Sequence, residues 1–168
     1  MRNPGMKECI DLITDFSHTT LDDLKLFLKM ATSNFIIGNC DAHGKNFSFL
    51  YDPQLSTRPL APFYDITSSS IGQRFDQDMA MRLGRNRKQG RISKQGFEDA
   101  SPKKLMDMII EELLATYPKA LASLTERTGD DLRPLLQKIA DDSQKHLASL
   151  RPASSSFPLT PPCHATRS

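Results

Sequence analysis

The stretch "IIGNCDAHGKNFSFLY", residues 36–51, places a polar loop between two apolar segments. An apolar run ends at Gly38, and the chain becomes apolar again at Phe47. The loop between them carries the titratable and amide side chains of Asp41, His43, Lys45 and Asn46. Loops on rigid scaffolds often carry catalytic groups, although polar turns are also common in purely structural roles. The segments on either side therefore decide how this loop is interpreted.

Two helices are predicted before the loop. Apolar residues recur at helical spacing in residues 6–16, and residues 19–39 form a second, longer helical pattern. Thr20 followed by Asp23 resembles a capping box at the start of the second helix, and Gly38 followed by Asn39 is a typical helix stop. The loop is therefore expected to follow the end of a buried helix.

A β-hairpin is predicted after the loop. Residues 47–51 alternate like a strand, residues 52–59 contain the prolines and polar residues of a turn, and residues 60–66 read as an extended return. This hairpin would end near Tyr64 and Asp65, and it would bring them back towards the loop.

The second half of the chain is predicted to be mostly helical. Residues 67–100 are rich in Gly, Ser and Arg, and the basic run 82–94 favours a solvated, mobile loop. The alternative for this run is a surface that docks an acidic protein or nucleic acid. A helix then runs towards Gly129, with Pro118 as a point of kinking or restart, and a final helix covers residues 133–150.

Composition and length favour one globular domain over residues 1–151, followed by a Pro- and Ser-rich tail, residues 152–168, that is predicted to be disordered. The net charge of +2 excludes strong global attraction to nucleic acid or membranes. Three cysteines without a CxxC pair favour free thiols. The chain has no apolar run near the ~20 residues of a membrane span. Its N-terminus lacks the apolar core of a signal peptide, so a cytoplasmic location is expected.

The loop has the spacing of a phosphoryl-transfer site. Asp41 and Asn46 are five residues apart, as in the catalytic loop of kinases, where the Asp takes the proton of the acceptor hydroxyl and the Asn holds magnesium. Magnesium prefers oxygen ligands and needs a carboxylate as well, and Asp65 at the end of the predicted hairpin supplies one. Lys45 adds a positive charge where phosphate charge must be neutralised.

Two linked motifs resemble the HipA family of bacterial serine/threonine kinases. The first is a G-x-x-D-x-H-x-K-N-x-S loop, and the second is a later L-x-P-x-Y-D. The matching residues are Gly38, Asp41, His43, Lys45, Asn46, Ser48, Leu60, Pro62, Tyr64 and Asp65. A looser resemblance covers residues 4–150. It implies a mainly α fold, the C-terminal lobe of a protein-kinase-like structure with a small β-hairpin.

The resemblance also implies an activity. Asp41 would be the catalytic base, and Asn46 and Asp65 would be the magnesium ligands. His43, Lys45 and Tyr64 would lie at positions where the loop and hairpin of this family come close to ATP. The expected cofactors are ATP and Mg²⁺. HipA proteins are toxins held by a small DNA-binding antitoxin, HipB, and the best-known member phosphorylates glutamyl-tRNA synthetase. A HipB-type partner and a protein substrate such as an aminoacyl-tRNA synthetase are therefore implied. The chain would be linked to nucleic acid only indirectly, through the bound antitoxin.

The sequence departs from the kinase pattern in two ways. Cys40 stands where an H-R-D loop has Arg, and Ile66 follows Asp65 where eukaryotic kinases have Phe. In addition, no G-x-G-x-x-G loop and no strand lysine for the phosphates is found. The expectation is a C-lobe without its N-lobe, which a separate N-lobe chain or an undivided parent protein would complete.

Two other interpretations remain open. The chain would be a non-catalytic module that holds an antitoxin-like partner if it does not bind nucleotide. It would be a metal nuclease if Asp41, His43 and Asp65 gathered around one metal ion. The second alternative leaves the Lys45-Asn46 pair and the Tyr64-Asp65 motif unexplained.

Overall fold

The computed structural model describes residues 3–54, 57–71 and 78–152. Five α-helices and one two-stranded antiparallel sheet form the described part of the chain. The predicted tail lies almost wholly outside the described residues. The elements in chain order are α1 (Met6–Phe16), α2 (Thr20–Ile36), β1 (Asp78–Leu83), β2 (Asn86–Lys88), α3 (Lys94–Glu98), α4 (Lys103–Arg127) and α5 (Arg133–Ser149), with single 3₁₀ turns at Gly44–Asn46, Gln89–Arg91 and Asp130–Leu132.

Helix α2 is the centre of the fold. It packs against α1, α4 and α5, and most of its residues are buried. The side chains of Phe27, Leu28 and Phe35 are fully inaccessible to solvent. Burial of side chains this large stabilises the fold by about 1.5–3 kcal/mol each. Because the C-terminal end of α2 is buried, the polar backbone groups there must find partners within the protein.

The two predicted N-terminal helices are confirmed, but the start of α2 differs in detail. Thr20 is the first helical residue, and no side chain caps the helix in the expected way. Instead, Ser17 Oγ accepts a hydrogen bond from the Thr19 N–H and donates one to the carboxylate of Asp23. Asp23 is buried, so this contact satisfies a charge inside the protein.

The end of α2 follows the predicted stop. Gly38 has φ 71°, in the left-handed region that favours glycine. The N–H of Asn39 donates to the carbonyl of Asn34 at 2.8 Å, and the N–H of Gly38 donates to that of Phe35 at 3.2 Å. This pair of bonds is a Schellman motif, which ends the helix and turns the chain sharply into the polar loop.

The predicted hairpin of residues 47–51 and 60–66 is reduced to one antiparallel bridge, between Phe49 and Leu60. Two hydrogen bonds flank it, from Leu50 N–H to Pro59 O and from Ala61 N–H to Ser48 O. Prolines lack the N–H that a longer ladder needs, and Pro59 directly precedes the return segment while Pro62 lies within it. The chain still doubles back here, so Tyr64 and Asp65 return to the loop as expected.

The two-stranded sheet, residues 78–88, overlaps the basic run 82–94 that was expected to be a mobile loop. In β1, residues alternate between half-buried and buried, and Met79, Met81 and Leu83 face the core. Strand β2 pairs with it through the two-residue connection Gly84-Arg85. The expectation of a solvated loop for residues 82–94 was therefore wrong, because a period-two apolar pattern underlies the basic residues. Met106 of α4 is buried as well.

Helix α4 runs without interruption through Pro118, so the expected restart is not observed. The helix is exposed around Pro118, and water can therefore bond the carbonyl that loses its partner. The exposed side of α4 also carries Met108, which is 62% exposed. Where α4 meets α5, burial raises the pKa of Tyr117, and the hydrogen bond between its hydroxyl and Ser143 opposes that rise.

The cysteines within the described ranges are free thiols, as expected. Cys9 lies on α1 and Cys40 is buried in the loop, while Cys163 lies outside the described residues. Burial raises the pKa of the Cys9 thiol to about 11, so the unreactive thiol form dominates at neutral pH. No helix in the described part of the chain is long and apolar enough to cross a membrane.

Gly84 provides a test of the hairpin. It has φ 60°, and a Cβ built on it would lie 2.4 Å from the carbonyl oxygen of Gly96. Gly84→Ala should therefore lower the free energy of unfolding by at least about 1–2 kcal/mol, the cost of a left-handed non-glycine residue. The measurement is urea denaturation. Gly90→Ala is the matched control, because a Cβ there meets nothing within 4 Å. Equal stability of the two variants would contradict the hairpin geometry.

Candidate active site

Asn46 and Asp65 are in direct contact, although they are 19 residues apart in the chain. The amide Nδ2 of Asn46 donates a hydrogen bond to the Asp65 carboxylate. The same side chain accepts, through Oδ1, a bond of 3.2 Å from the N–H of His43. Asn46 is buried, at the end of the 3₁₀ turn, whereas Asp65 is exposed. The structure thus brings together the two residues that the sequence suggested as magnesium ligands.

The backbone of Asp65 adopts an unusual conformation. Its φ is 56°, which makes it the non-glycine residue with positive φ in the described part of the chain. Aspartate tolerates this region better than most residues, but the conformation is still uncommon and is held only where the surroundings impose it. Here the Asp65 carbonyl accepts a hydrogen bond of 3.2 Å from the side chain of buried Asn39.

Asp41 lies at the exposed surface of the same loop. Its carboxylate has no hydrogen bond or ion pair with any described residue. The backbone of its neighbour Cys40 is fixed on both sides: the Cys40 N–H donates to Ser69 Oγ at 2.8 Å, and the Cys40 carbonyl accepts from the Ala80 N–H at 2.7 Å. A fixed backbone that carries an accessible carboxylate is suited to a general base.

The remaining predicted residues surround this loop. The Tyr64 hydroxyl donates to the carbonyl of Lys45 at 3.0 Å, so Tyr64 ties the returning segment to the loop through its backbone. The Lys45 side chain is exposed. His43 is half-buried, and its Nδ1 atom is buried without a hydrogen-bond partner among the described residues. An unsatisfied buried polar atom of this kind is one that a bound ligand can satisfy.

The donor atoms at the Asn46–Asp65 contact fit a magnesium ion. Asp65 offers an exposed carboxylate, and Asn46 Oδ1, which accepts the His43 N–H, has a second lone pair that a metal can use, although Nδ2 is the atom that faces Asp65. Mg²⁺ usually takes only one or two carboxylates and completes its shell with water and phosphate oxygens. Within the described residues there is no group of three or more His, Cys, Asp or Glu side chains that could hold a metal. The structure therefore gives no support to a metal nuclease built on Asp41, His43 and Asp65.

Residues 2–121 match the model of the family described as the HipA-like C-terminal domain. The chain belongs to this family. The resemblance that the two motifs indicated is thereby confirmed.

Relatives of this HipA-like chain include proteins named as kinases. It is 32% identical over 132 residues to the putative kinase Y4mE of Sinorhizobium fredii, a match that covers 76% of the chain and 31% of the relative. It is 41% identical over 56 residues to the serine/threonine-protein kinase toxin HipA of Shewanella oneidensis, covering 33% of the chain and 12% of that protein. The chain thus spans less than a third of the length of these relatives.

The fold of the HipA-like chain matches a solved structure. The HipA chain in the complex of Shewanella oneidensis HipA, HipB and operator DNA superimposes with a TM-score of 0.70 and 23% identity. The match covers 86% of this chain and 34% of that one. The predicted fold class is therefore confirmed: a mostly helical, kinase-like C-terminal domain with a small two-stranded hairpin.

The sequence interpretation missed the residues that hold the HipA-like site together. Asn39 was interpreted only as part of a helix stop, yet its buried side chain contacts Asp65. Ser68 and Ser69 bond the loop backbone, through Ser68 Oγ to Ile37 O at 2.7 Å and through Ser69 Oγ to Cys40 N. One signal was available for Asn39. The position that follows the left-handed glycine of a Schellman motif usually makes an apolar contact, and a polar residue there is a departure.

The contacts of Asp41 and Asn46 predict a small effect on stability for a substitution of Asp41 and a larger loss for one of Asn46. Asp41→Asn should change the free energy of unfolding by less than about 0.5 kcal/mol, because the exposed carboxylate bonds to no described residue. Asn46→Ala should cost about 1–3 kcal/mol, because it removes a buried amide and leaves the His43 N–H and the Asp65 carboxylate without their partner. Urea denaturation of both variants measures the difference. A large loss for Asp41→Asn would show that this residue serves the fold.

Proposed function

We propose that this chain is the catalytic C-lobe of a HipA-like protein serine/threonine kinase, which transfers the γ-phosphoryl group of ATP to a protein hydroxyl. The observation that carries the proposal is the contact between Asn46 and Asp65 in a loop that presents the accessible carboxylate of Asp41. Membership of the family and kinase-named relatives support the same reaction class.

Each residue has a distinct task in this proposal. Asn46 and Asp65 would hold Mg²⁺, which when bound neutralises the charge of the ATP phosphates. Asp41 would orient the acceptor hydroxyl and take its proton. Lys45 would offset negative charge on the phosphates, and the free Nδ1 of His43 would bond the nucleotide. Tyr64 would position the loop through the Lys45 carbonyl.

The remaining elements of a kinase would come from another segment of chain. A kinase needs a loop over the phosphates and a lysine on the α- and β-phosphates. The relatives are about three times as long as the matched region, so such a lobe has a place in them. The described residues would form one wall of the nucleotide cleft, and the N-lobe, in the same protein or supplied by a partner, would form the other.

The partners of the kinase are part of the proposal. The structural neighbour is a complex of HipA with HipB and operator DNA, which favours a HipB-type antitoxin as a partner of this chain. The toxin–antitoxin role, the cytoplasmic location and an aminoacyl-tRNA synthetase as substrate remain predictions. The same neighbour favours a second candidate function, a non-catalytic module that holds the antitoxin. That module would form the complex without binding nucleotide.

A chimaera tests the catalytic proposal. Residues 3–152 replace the aligned C-terminal part of Shewanella oneidensis HipA, and transfer of radiolabelled γ-phosphate from Mg-ATP to protein is measured, including self-phosphorylation. We expect transfer, and Asp41→Asn should reduce it by about 10²–10⁴-fold, the usual contribution of a general base.

Asp15→Asn is the matched control, because Asp15 is an exposed aspartate on α1, far along the chain from the loop. It should leave transfer unchanged. A folded chimaera that transfers no phosphate, or one whose activity survives Asp41→Asn, would contradict the proposed catalytic role. Retention of HipB binding by an inactive, folded chimaera would favour the binding module.

A further inference from the structure

Asn39 makes a set of contacts that the end of a helix does not require. Its backbone N–H already completes the Schellman motif by bonding Asn34 O. The side chain is therefore free of any capping task, and an apolar residue would satisfy the usual pattern at this position. Instead, the position holds an amide that is 1% exposed. A buried amide costs stability unless each of its polar atoms is bonded, so its partners indicate its role.

The partners of Asn39 lie mainly on the segment that follows the returning strand. Nδ2 donates to the Asp65 carbonyl at 3.2 Å and to Asn34 Oδ1 at 3.0 Å, and Oδ1 accepts from Thr67 Oγ1 at 3.4 Å. Both donors and the acceptor are thus used. Two of the three contacts reach residues 26 and 28 positions away, on either side of Ile66.

We propose that Asn39 is a positioning residue for the magnesium site, which fixes the left-handed backbone of Asp65 so that its carboxylate meets Asn46. This inference rests on the proposed role of Asp65 as a metal ligand. Two buried asparagines hold Asp65 from opposite ends: Asn39 bonds its carbonyl, and Asn46 bonds its carboxylate. They stand two residues before and five residues after Asp41, so one loop sets the positions of the base and both ligands.

The backbone of Asp65 explains why such a bond is needed. A positive φ at a residue with a side chain costs about 1–2 kcal/mol, and the neighbouring side chains of Tyr64, Ile66 and Thr67 are exposed. Little apolar packing therefore opposes a relaxation of this segment to ordinary extended backbone. Such a relaxation would rotate the Asp65 carboxylate away from Asn46. Residues that orient a metal ligand in this way typically change metal affinity by 10–100-fold when they are removed.

The test compares Asn39→Ala with Thr32→Val in the full chain. Thr32 is fully buried in α2, the helix that ends just before Asn39, and its Oγ1 bonds only Leu28 O among the described residues. Both variants therefore remove a buried polar group next to the core, but only Asn39→Ala affects Asp65. Binding of Mn²⁺, used as the probe for Mg²⁺, is measured by electron paramagnetic resonance. Amide hydrogen exchange of residues 64–71 is measured without metal by mass spectrometry.

We expect Asn39→Ala to weaken Mn²⁺ binding at least about tenfold and to speed exchange in residues 64–71, whereas Thr32→Val should change neither beyond about twofold. Unchanged Mn²⁺ affinity or unchanged exchange in Asn39→Ala would overturn the inference. If the wild-type chain binds no Mn²⁺, the proposed metal site fails, and the exchange measurement alone decides whether Asn39 positions Asp65. If Asn39→Ala does not fold, Thr67→Val removes the Oγ1 contact alone and should shift both readouts in the same direction.

Discussion

The carbonyl groups at the end of α2 impose the constraint on which the site depends. The helix ends inside the protein, where its last carbonyls cannot reach water and must be bonded by other parts of the chain. Three donors from two parts of the chain bond them. His146 on α5 bonds Ile36 O at 3.1 Å, Ser68 bonds Ile37 O, and the Ser70 N–H bonds Gly38 O at 2.9 Å.

Satisfying those carbonyls also assembles the site. The serines that bond the end of α2 lie three to five residues after Asp65, so their contacts bring the Asp65 segment against the loop that holds Asp41 and Asn46. Gly38 allows this close approach, because a Cβ there would lie 2.0 Å from Ser70 Oγ. The same hydrogen bonds that terminate a helix thus position Asp41, the proposed base, and Asn46 and Asp65, the proposed metal ligands. Fold and candidate chemistry share one set of contacts.

The parts of this arrangement that follow local patterns could be predicted from the sequence. Helices α1 and α2 have clear helical spacing, and the left-handed stop at Gly38 was recognisable. The meeting of Asn46 and Asp65 was expected from the loop and the returning segment, and the structure places them in contact. Their roles as metal ligands stay predictions, as do those of Asp41, His43, Lys45 and Tyr64.

The parts that depend on tertiary contacts were missed. The hairpin of β1 and β2 was not predicted, because its arginines suggested a charged loop. Met79, Met81 and Leu83 form its buried face. The role of Asn39 depends on partners 26 and 28 residues away, which no local pattern specifies. The expected hairpin of residues 47–51 and 60–66 was also only partly correct. Its hydrophobic pattern suggests strands, but the prolines lack the N–H groups that a longer ladder needs.

The central claim is that this chain carries an assembled half-site for magnesium and nucleotide. Calorimetric titration of the chain with Mg-ATP, beside Asp65→Ala and the control Asp22→Ala, tests it most directly. Asp22 is an exposed residue at the start of α2, with 82% of its side chain accessible, so its removal should not affect binding. The account predicts binding that Asp65→Ala abolishes and Asp22→Ala retains. Absence of binding at millimolar nucleotide, or equal binding by both variants, would contradict it.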